Sequence, residues 1–577
     1  MKKSKSLLLM FALVLVISTA LAGCGGNNTN NGSNANTGNA ANTGNTADTG
    51  NTATDEKLAA DQTLRINLSS EPPTFDPAQA QDSQANTVLK TMYEGLTKMN
   101  DETGQAEPGV AEKWEVSADG LVYTFHLRDS KWSNGDPVTA NDFIFAWNRV
   151  LDPKAEPAAP YAYQLYYLKN GEKYNSGKDA EVKDFSQVGA KAIDDKTLEV
   201  TLENPTPYFL GLLSFYTYYP VHKSVEGNAK WATSKDTMIV NGPFTLTDWI
   251  TGQSLEVTKN DNYYDKDNIK LSKIEFTLVN SGATELLSYK SGELDRAGGP
   301  NGEIPTEQLP VVSKELPNEF QRKGISTVYY YEFNVTEKPF NNAKIRKALA
   351  MTIDRQALID NVTLGGQLPA FGFVPPGIAG AADEYRNEVK DSGYFTEDLE
   401  GAKTLLAEGL KEEGLDKLPP VTLSYNTSEG HKKIALAIGD MWKTKLGIDV
   451  KLENQEWAVF IQNRQNLNYQ VARAGWSADY NDPMTFLDMW VTGGGNNDTG
   501  YANPAYDKLI SEAKASGDNK VRNEKFAAAE KILIQDDMVI IPIYYYTNNS
   551  LVKEYLKGIT LDFSGAVNLT KAYLLEH

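Results

Sequence analysis

The run from Val421 to Leu452 constrains the fold more than any other stretch of the chain. Val421–Tyr425 is short and apolar, as a strand is. His431–Leu446 puts Ile434, Ala437, Ile438, Met441 and Trp442 on one helical face, and Gly447 follows as a stop. Ile448–Leu452 reads as the next strand. This strand–helix–strand order predicts a partly parallel sheet in the C-terminal half. Val328–Phe333 and Val539–Tyr546 are apolar runs suited to further buried strands. Ile345, Ala348, Leu349, Thr352 and Ile353 mark a helix between them.

The N-terminal half has a different texture. Leu64, Ile66 and Leu68 alternate with polar residues, as in a strand, and Val88, Leu89, Met92, Tyr93 and Leu96 make a helix face. Trp114–Arg128 predicts a hairpin turning at Asp119-Gly120, and Ala192–Leu202 another hairpin arm. Thr139 and Asp142 form an acidic capping box for a helix that buries Phe143, Ile144, Trp147 and Val150. Ile274–Val279 reads as a strand and Thr284–Ser291 as a short helix. At 577 residues the chain exceeds what one hydrophobic core holds, so two or three lobes are expected.

Three lysines, at 2, 3 and 5, precede the apolar run Leu7–Ile17. That pattern is a secretory signal, and its core is short for a membrane span. The ending Leu21-Ala-Gly-Cys24 resembles a bacterial lipobox, which implies cleavage before Cys24 and lipid on its thiol. Cys24 is the only cysteine, so an intramolecular disulfide and a multi-cysteine metal site are excluded. Gly25–Thr54 contains only Gly, Asn, Thr, Ser, Ala and one Asp. It has too little apolar surface to offset the entropy of ordering and reads as a coil of roughly 30 Å root-mean-square span. Such a tether would hold a globular body off a membrane. The net charge of −20 repels phosphate backbones, so nucleic acid is not an expected partner.

Val471-Ala-Arg-Ala-Gly-Trp-Ser-Ala-Asp-Tyr-Asn-Asp-Pro483 carries two charges, Arg473 and Asp479, with no partner at helical or strand spacing. A charge in low dielectric is costly unless it is paired. Either the fold brings a partner from a distance, or a ligand supplies it. A zwitterion would satisfy both, with its ammonium on Asp479 and its carboxylate on Arg473. Gly475 between them lets another backbone approach closely. Asp482, before Pro483, reads as a helix N-cap. His431, Lys432 and Lys433 open a helix where cations oppose the dipole. They form an anion site with the free N–H groups, or else Ser428 caps the helix and the bases are solvated.

Motifs for catalysis are missing. Asp-Thr-Gly occurs at Asp48 and Asp498, but one copy lies in the tether and the other in the glycine loop Gly493–Gly500. That loop lacks the Lys-Ser/Thr of a phosphate loop. The four histidines (126, 222, 431 and 577) have no ligand spacing, and no Gly-x-Ser-x-Gly elbow is present. The chain is therefore read as a non-enzyme, with no metal and no cofactor.

Four separated stretches together resemble the oligopeptide-binding proteins of ABC importers, the extracellular solute-binding proteins of the dipeptide/oligopeptide/nickel class. They are Phe125-His-Leu-Arg128 with Lys131–Asp142, Ala192–Leu202, Tyr329-Tyr-Tyr-Glu-Phe-Asn334 with Phe340-Asn341, and Val471–Asn481. Tyr425–Lys433 adds to the resemblance, which runs from about Leu64 to the C-terminus. It implies an α/β, two-lobe periplasmic-binding-protein-like fold with three subdomains, a two-strand hinge near residues 326 and 548, and a ligand cleft between the lobes. The implied order is signal peptide 1–23; lipidated Cys24 and linker, 24–57; lobe I, 58–93; an inserted subdomain, 94–222; lobe I again, 223–326; lobe II, 327–547; and a return to lobe I, 548–577.

The resemblance also implies roles. A short peptide would lie extended between the lobes, paired through its main chain as in strand addition. Asp479 would hold its ammonium; Arg473 and His431 would take the carboxylates of peptides of different length. Gly475 and Ser477, with Gln81 and Ser83 opposite, would pair with its backbone. Tyr161, Trp457, Arg464, Trp476 and Glu332 would line side-chain pockets. The implied partners are permease subunits, with a monomeric protein held by lipid to the membrane of a Gram-positive bacterium. Two departures stand out. Asn361–Gly366 lacks a lysine that serves longer peptides in some relatives, and Thr327 and Ser477 replace a disulfide known in others. Other readings are a receptor for a nickel complex, haem or oligosaccharide, a surface peptide sensor, and a secreted hydrolase.

Overall fold

The computed structural model of the protein describes residues 57–577. The signal segment 1–23, Cys24 and the linker up to residue 56 lie outside the described residues. Among those described, no helix is long and apolar enough to cross a membrane.

One mixed sheet of eleven strands organises the protein. Its main strands are β1 (Thr63–Asn67), β2 (Phe244–Ile250), β3 (Ser254–Lys259), β4 (Lys273–Thr277), β5 (Arg296–Gly298), β6 (Phe320–Phe333), β7 (Val421–Asn426), β8 (Val450–Gln455), β9 (Val471–Ser477) and β10 (Ile540–Val552). Their spatial order is β8-β7-β9-β6-β10-β5-β1-β4-β3-β2. Leu368–Pro369 adds a short eleventh strand against β10. The helix α2 (Glu429–Leu446) links β7 to β8, which run parallel in register Val421↔Val450, as the strand–helix–strand order requires. It begins two residues earlier than the apolar stripe indicates and ends at Gly447 in the left-handed conformation (φ 70°). Ile434, Ile438 and Trp442 are buried, while Ala437 and Met441 are half-buried.

β6 and β10 are far longer than their neighbours, 14 and 13 residues. The second half of β6, Thr327–Phe333, pairs with β9 on one edge and β10 on the other. Its first half, Phe320–Gly324, keeps β10 alone, and β10 in turn pairs with β5. The β6–β10 ladder slips between Gly324 and Val328. These two strands thus carry the sheet from the β7–β9 side to the β1–β5 side. Val328–Phe333 is buried on both faces, which explains its unbroken apolar and tyrosine composition.

A second, four-stranded antiparallel sheet is built from the hairpin Ala111–Val116 and Val122–Leu127 with Thr197–Thr201 and Ala190–Asp194. Ala192–Leu202 is therefore most of a hairpin, not one arm. The capping box at Thr139 and Asp142 is formed and opens the helix Ala140–Leu151. His126 is a partly exposed strand residue 3.5 Å from Glu115.

One buried carboxylate is closed into a network. Glu530, fully buried, accepts the N–H groups of Phe373 (2.7 Å) and Val374 (3.0 Å), the hydroxyls of Tyr385 (3.2 Å) and Tyr394 (3.0 Å), and the guanidinium of Arg386. Removing one member of such a pair strands the other in low dielectric. Glu530→Ala is expected to lower the stability of this region by about 3–5 kcal/mol. A urea titration followed by tryptophan fluorescence should show the midpoint falling; an unchanged midpoint would refute the role.

Candidate functional site

A cavity of about 930 Å³ opens where β9 meets α1 (Ser83–Met92) and α3 (Trp457–Gln465). Side chains alternate along a strand, so Arg473, Gly475 and Ser477 share one face of β9, and all three line the cavity. The cavity also takes in Trp476 and, just beyond the strand, Asp479. Gln81 and Ser83 reach it from the start of α1, whose N-cap is Asp82. Gln81 accepts from Gln465 Nε2 at 3.3 Å, which ties α1 to α3. Ser477 pairs across the ladder with Thr327, their hydroxyls 2.9 Å apart, so a hydrogen bond stands where the resemblance placed a disulfide.

Asp479 is half-buried and has only neutral donors. Gln164 Nε2 lies 3.1 Å from Oδ2, and the Thr485 hydroxyl 3.4 Å away. No ion pair reaches it among the described residues, so the fold does not bring the distant cation that was one of the two possibilities. Burial holds its pKa well above the ordinary carboxylate range, and the neighbouring Asp488 adds to this. Arg473 likewise has no carboxylate. It donates to Asn426 Oδ1 (3.1 Å) and Tyr546 OH (3.0 Å), lies 5.1 Å from the Tyr329 ring, and leaves Nε without an acceptor.

Asp482 differs from its expected role. It does accept the Met484 N–H at 3.0 Å, but its carboxylate is gripped by Arg522 at 2.8 and 2.6 Å. Its charge is thereby spent within the fold, whereas that of Asp479 is not.

The start of α2 also resolves. Ser428 caps it, accepting from His431 N–H at 3.2 Å. Glu303, from the loop after β5, takes a hydrogen bond from Ser428 Oγ at 3.3 Å and occupies the anion position at the helix end. Lys433 bonds Glu307 at 2.6 Å, and Lys432 lies 3.6 Å from Glu429. An anion does sit there, and it belongs to the protein. His431 alone of the three faces the cavity, 5.6 Å from the Tyr329 ring. Burial, and then the charge of Arg473, holds its pKa well below the usual histidine value, so it is neutral.

Tyr161, Trp457, Arg464 and Trp476 line the cavity; Tyr161 packs 6.4 Å from Trp476. Glu332 does not: it lies behind the wall and holds Arg464 at 2.5 and 3.0 Å, while Asp498 holds the same guanidinium at 3.2 Å. Sequence reasoning missed Gln164, Thr485, Asn426 and Tyr546 as neighbours of the two charges. Asn426 and Tyr546 lay in stretches singled out for other reasons, and none of the four is charged.

The model of the bacterial extracellular solute-binding proteins, family 5, matches residues 105–498. This chain belongs to that family. The oligopeptide-binding protein OppA of Bacillus subtilis is 45% identical over 518 residues, 89% of this chain and 92% of that one. Haemophilus influenzae OppA in complex with RPPGFSPFR superposes with a TM-score of 0.83 at 36% identity, covering 90% of this chain and all of that one. Escherichia coli MppA, a murein tripeptide binding protein, superposes at 0.82, but its unliganded open form at 0.62, at 34% identity and 90% coverage in both cases. The two-lobe fold of the family is thus present, in an arrangement unlike the open one. In the peptide-free protein, the His431 ring should titrate well below the ordinary histidine value of 6.5. Proton NMR of the imidazole C–H signals checks this; titration of His431 near pH 6.5 would contradict it.

Proposed function

We propose that this protein captures short peptides outside the cytoplasm and delivers them to an ABC permease. One observation carries the reading: opposite charges, Asp479 and Arg473, stand in one cavity without ionic partners. Six residues of extended backbone separate them by roughly 20 Å at most. That is the scale of a short extended peptide together with the side chains that hold its ends. The ammonium goes to Asp479 and the carboxylate to Arg473, with His431 serving a different peptide length. Gly475 and Ser477 on one side, and Gln81 and Ser83 on the other, offer main-chain hydrogen bonds. Tyr161, Trp457, Arg464 and Trp476 wall the side-chain space. The OppA relatives, named for oligopeptide binding, support the ligand class.

The slipped ladder between Gly324 and Val328 supports a hinge near residues 326 and 548, with lobe II at about 327–547 and the insertion 94–222 riding on lobe I. Closure around the peptide is the state the permease reads. The protein performs no chemistry on its cargo and works as a monomer. Lipid on Cys24, after removal of 1–23, tethers it by the linker 24–57 to the membrane of a Gram-positive bacterium. The lone cysteine after Leu21-Ala-Gly supports this.

Asp479→Ala should weaken binding of tri-alanine by about 2–5 kcal/mol in calorimetry, since the ammonium is left buried and unpaired. Acetylating the peptide amine should cost a similar amount, and the two changes together little more than either alone. Wild-type affinity in Asp479→Ala would remove the anchor. Mass spectrometry of the membrane-extracted protein should find a diacylglyceryl Cys24 at the N-terminus; a retained residue 1 would refute the tether.

A further inference from the structure

No other residue donates a hydrogen bond to the carboxylate of Asp488, and no ion pair reaches it among the described residues. Its side chain is buried, 5% exposed, and neither carboxylate oxygen has a hydrogen-bond donor. It stands on the same short helical run, residues 484–490, as Thr485, three positions on. Residues at that spacing are neighbours, with Cβ atoms about 5–6 Å apart. Thr485 in turn touches Asp479 twice: its hydroxyl oxygen accepts the Asp479 N–H at 3.1 Å and donates to Oδ2 at 3.4 Å. Two carboxylates therefore share one enclosed region around Thr485. Two like charges in such a place do not both ionise.

Of the other groups facing them, only Lys514 offers positive charge, and it reaches Asp488 without an ion pair. The charge of Asp479 bears on the phenols of Tyr161, Tyr163 and Tyr216, all kept neutral by burial. The charge of Asp488 bears on Tyr163, Tyr167, Tyr208, Tyr480 and Tyr506, which burial likewise keeps neutral. Asp482, the third carboxylate nearby, is paired with Arg522. Lys514 bears on Asp488 from a distance and sits 4.7 Å from the Tyr167 ring. Gln164 gives Asp479 its amide N–H, and its own Oε1 is buried without a donor. Every donor that Asp479 has is neutral, and Asp488 has none.

We propose that Asp479 and Asp488 form one acidic unit that keeps a proton while the cleft is empty and releases it when a peptide ammonium enters. Asp488 is in this sense a positioning residue: it does not line the cavity, and it acts through Asp479. The proposal rests on the peptide reading above. On binding, the carboxyl O–H bond breaks, its electron pair stays on oxygen, and the proton leaves to solvent. The ammonium's N–H groups then donate to the carboxylate, so one positive charge replaces another. Burial supports the direction, pushing the Asp488 pKa up to about 7 and that of Asp479 well above its ordinary value. Acid favours the protonated empty cleft, so affinity falls as pH drops. Above about pH 8 the peptide amine loses its own proton, and affinity falls there too.

The test is calorimetry of tri-alanine with the purified protein near pH 6.5 in phosphate, PIPES and imidazole, whose ionisation heats differ. The peptide amine is almost fully protonated there, so released protons come from the protein. The expected result is release of about one proton per peptide bound, with affinity dropping up to about tenfold from pH 6.5 to 5.5. Asp488→Asn should release fewer protons and hold its affinity better at the acid end. Heats of wild-type binding that are independent of buffer would overturn the proposal without any variant. Absence of binding in every buffer would instead overturn the peptide reading beneath it.

Discussion

A carboxylate taken out of water must find a cation, lose its charge or give up its enclosure. Asp479 has been given only an amide and a hydroxyl, from Gln164 and Thr485. Around it the fold pairs other buried acids with cations: Glu530 with Arg386, Asp482 with Arg522, Glu332 and Asp498 with Arg464. Asp82, Asp142 and Glu285 are buried without a cation too, but they accept backbone N–H groups, which Asp479 does not. Arg473, six residues earlier on β9 and equally without an ionic partner, makes it a pair of vacancies of opposite sign. A zwitterionic chain of modest length is the ligand that fits such a pair, and the rest of the cavity follows from the same demand. A ligand recognised by its ends and its backbone leaves side-chain space to water and aromatic walls.

The sheet holds these groups at fixed separation. β9 is pinned along seven residues to β6, and β6 runs on with β10 into the far half of the molecule. Arg473 and Asp479 therefore move as one body with Trp476. Gln81, Ser83, Tyr161 and Gln164 approach from other elements, and polar bonds join the two sets. Gln81 meets Gln465, Gln164 meets Asp479, Tyr163 meets Asn496, and Glu303 meets the start of α2. Each is weak by itself, of the order of 1 kcal/mol. Together they favour an enclosed cleft, in keeping with a TM-score of 0.82 on one MppA structure against 0.62 on the unliganded open form. The Glu303 contact has a particular logic, because a carboxylate at a helix N-terminus is stabilised by the dipole and by free N–H groups.

Much of this was legible in the chain itself. Hydrophobic period located the parallel β7–α2–β8 unit, the buried β6 and β10, and the capping box at Thr139, because strand and helix periods depend on neighbours within a few residues. That Arg473 and Asp479 have no partner at short spacing was readable; that no distant segment pairs them was not. Of the residues placed at the site by resemblance, Glu332 alone stands behind the wall.

What the sequence determined, then, was the set of local elements and the two charges that nothing nearby could neutralise. Only the tertiary structure decided which acids acquire cations. Asp482 and Asp479 stand three residues apart in similar surroundings, yet one meets Arg522, 40 residues on, and the other meets Gln164, 315 residues back. It also decided that Glu303 fills the helix end where an external anion could have bound, and that Asp488 is left without any donor. Such pairings depend on how distant segments pack, and burial and electrostatic cost are set by that packing, which no short-range pattern encodes.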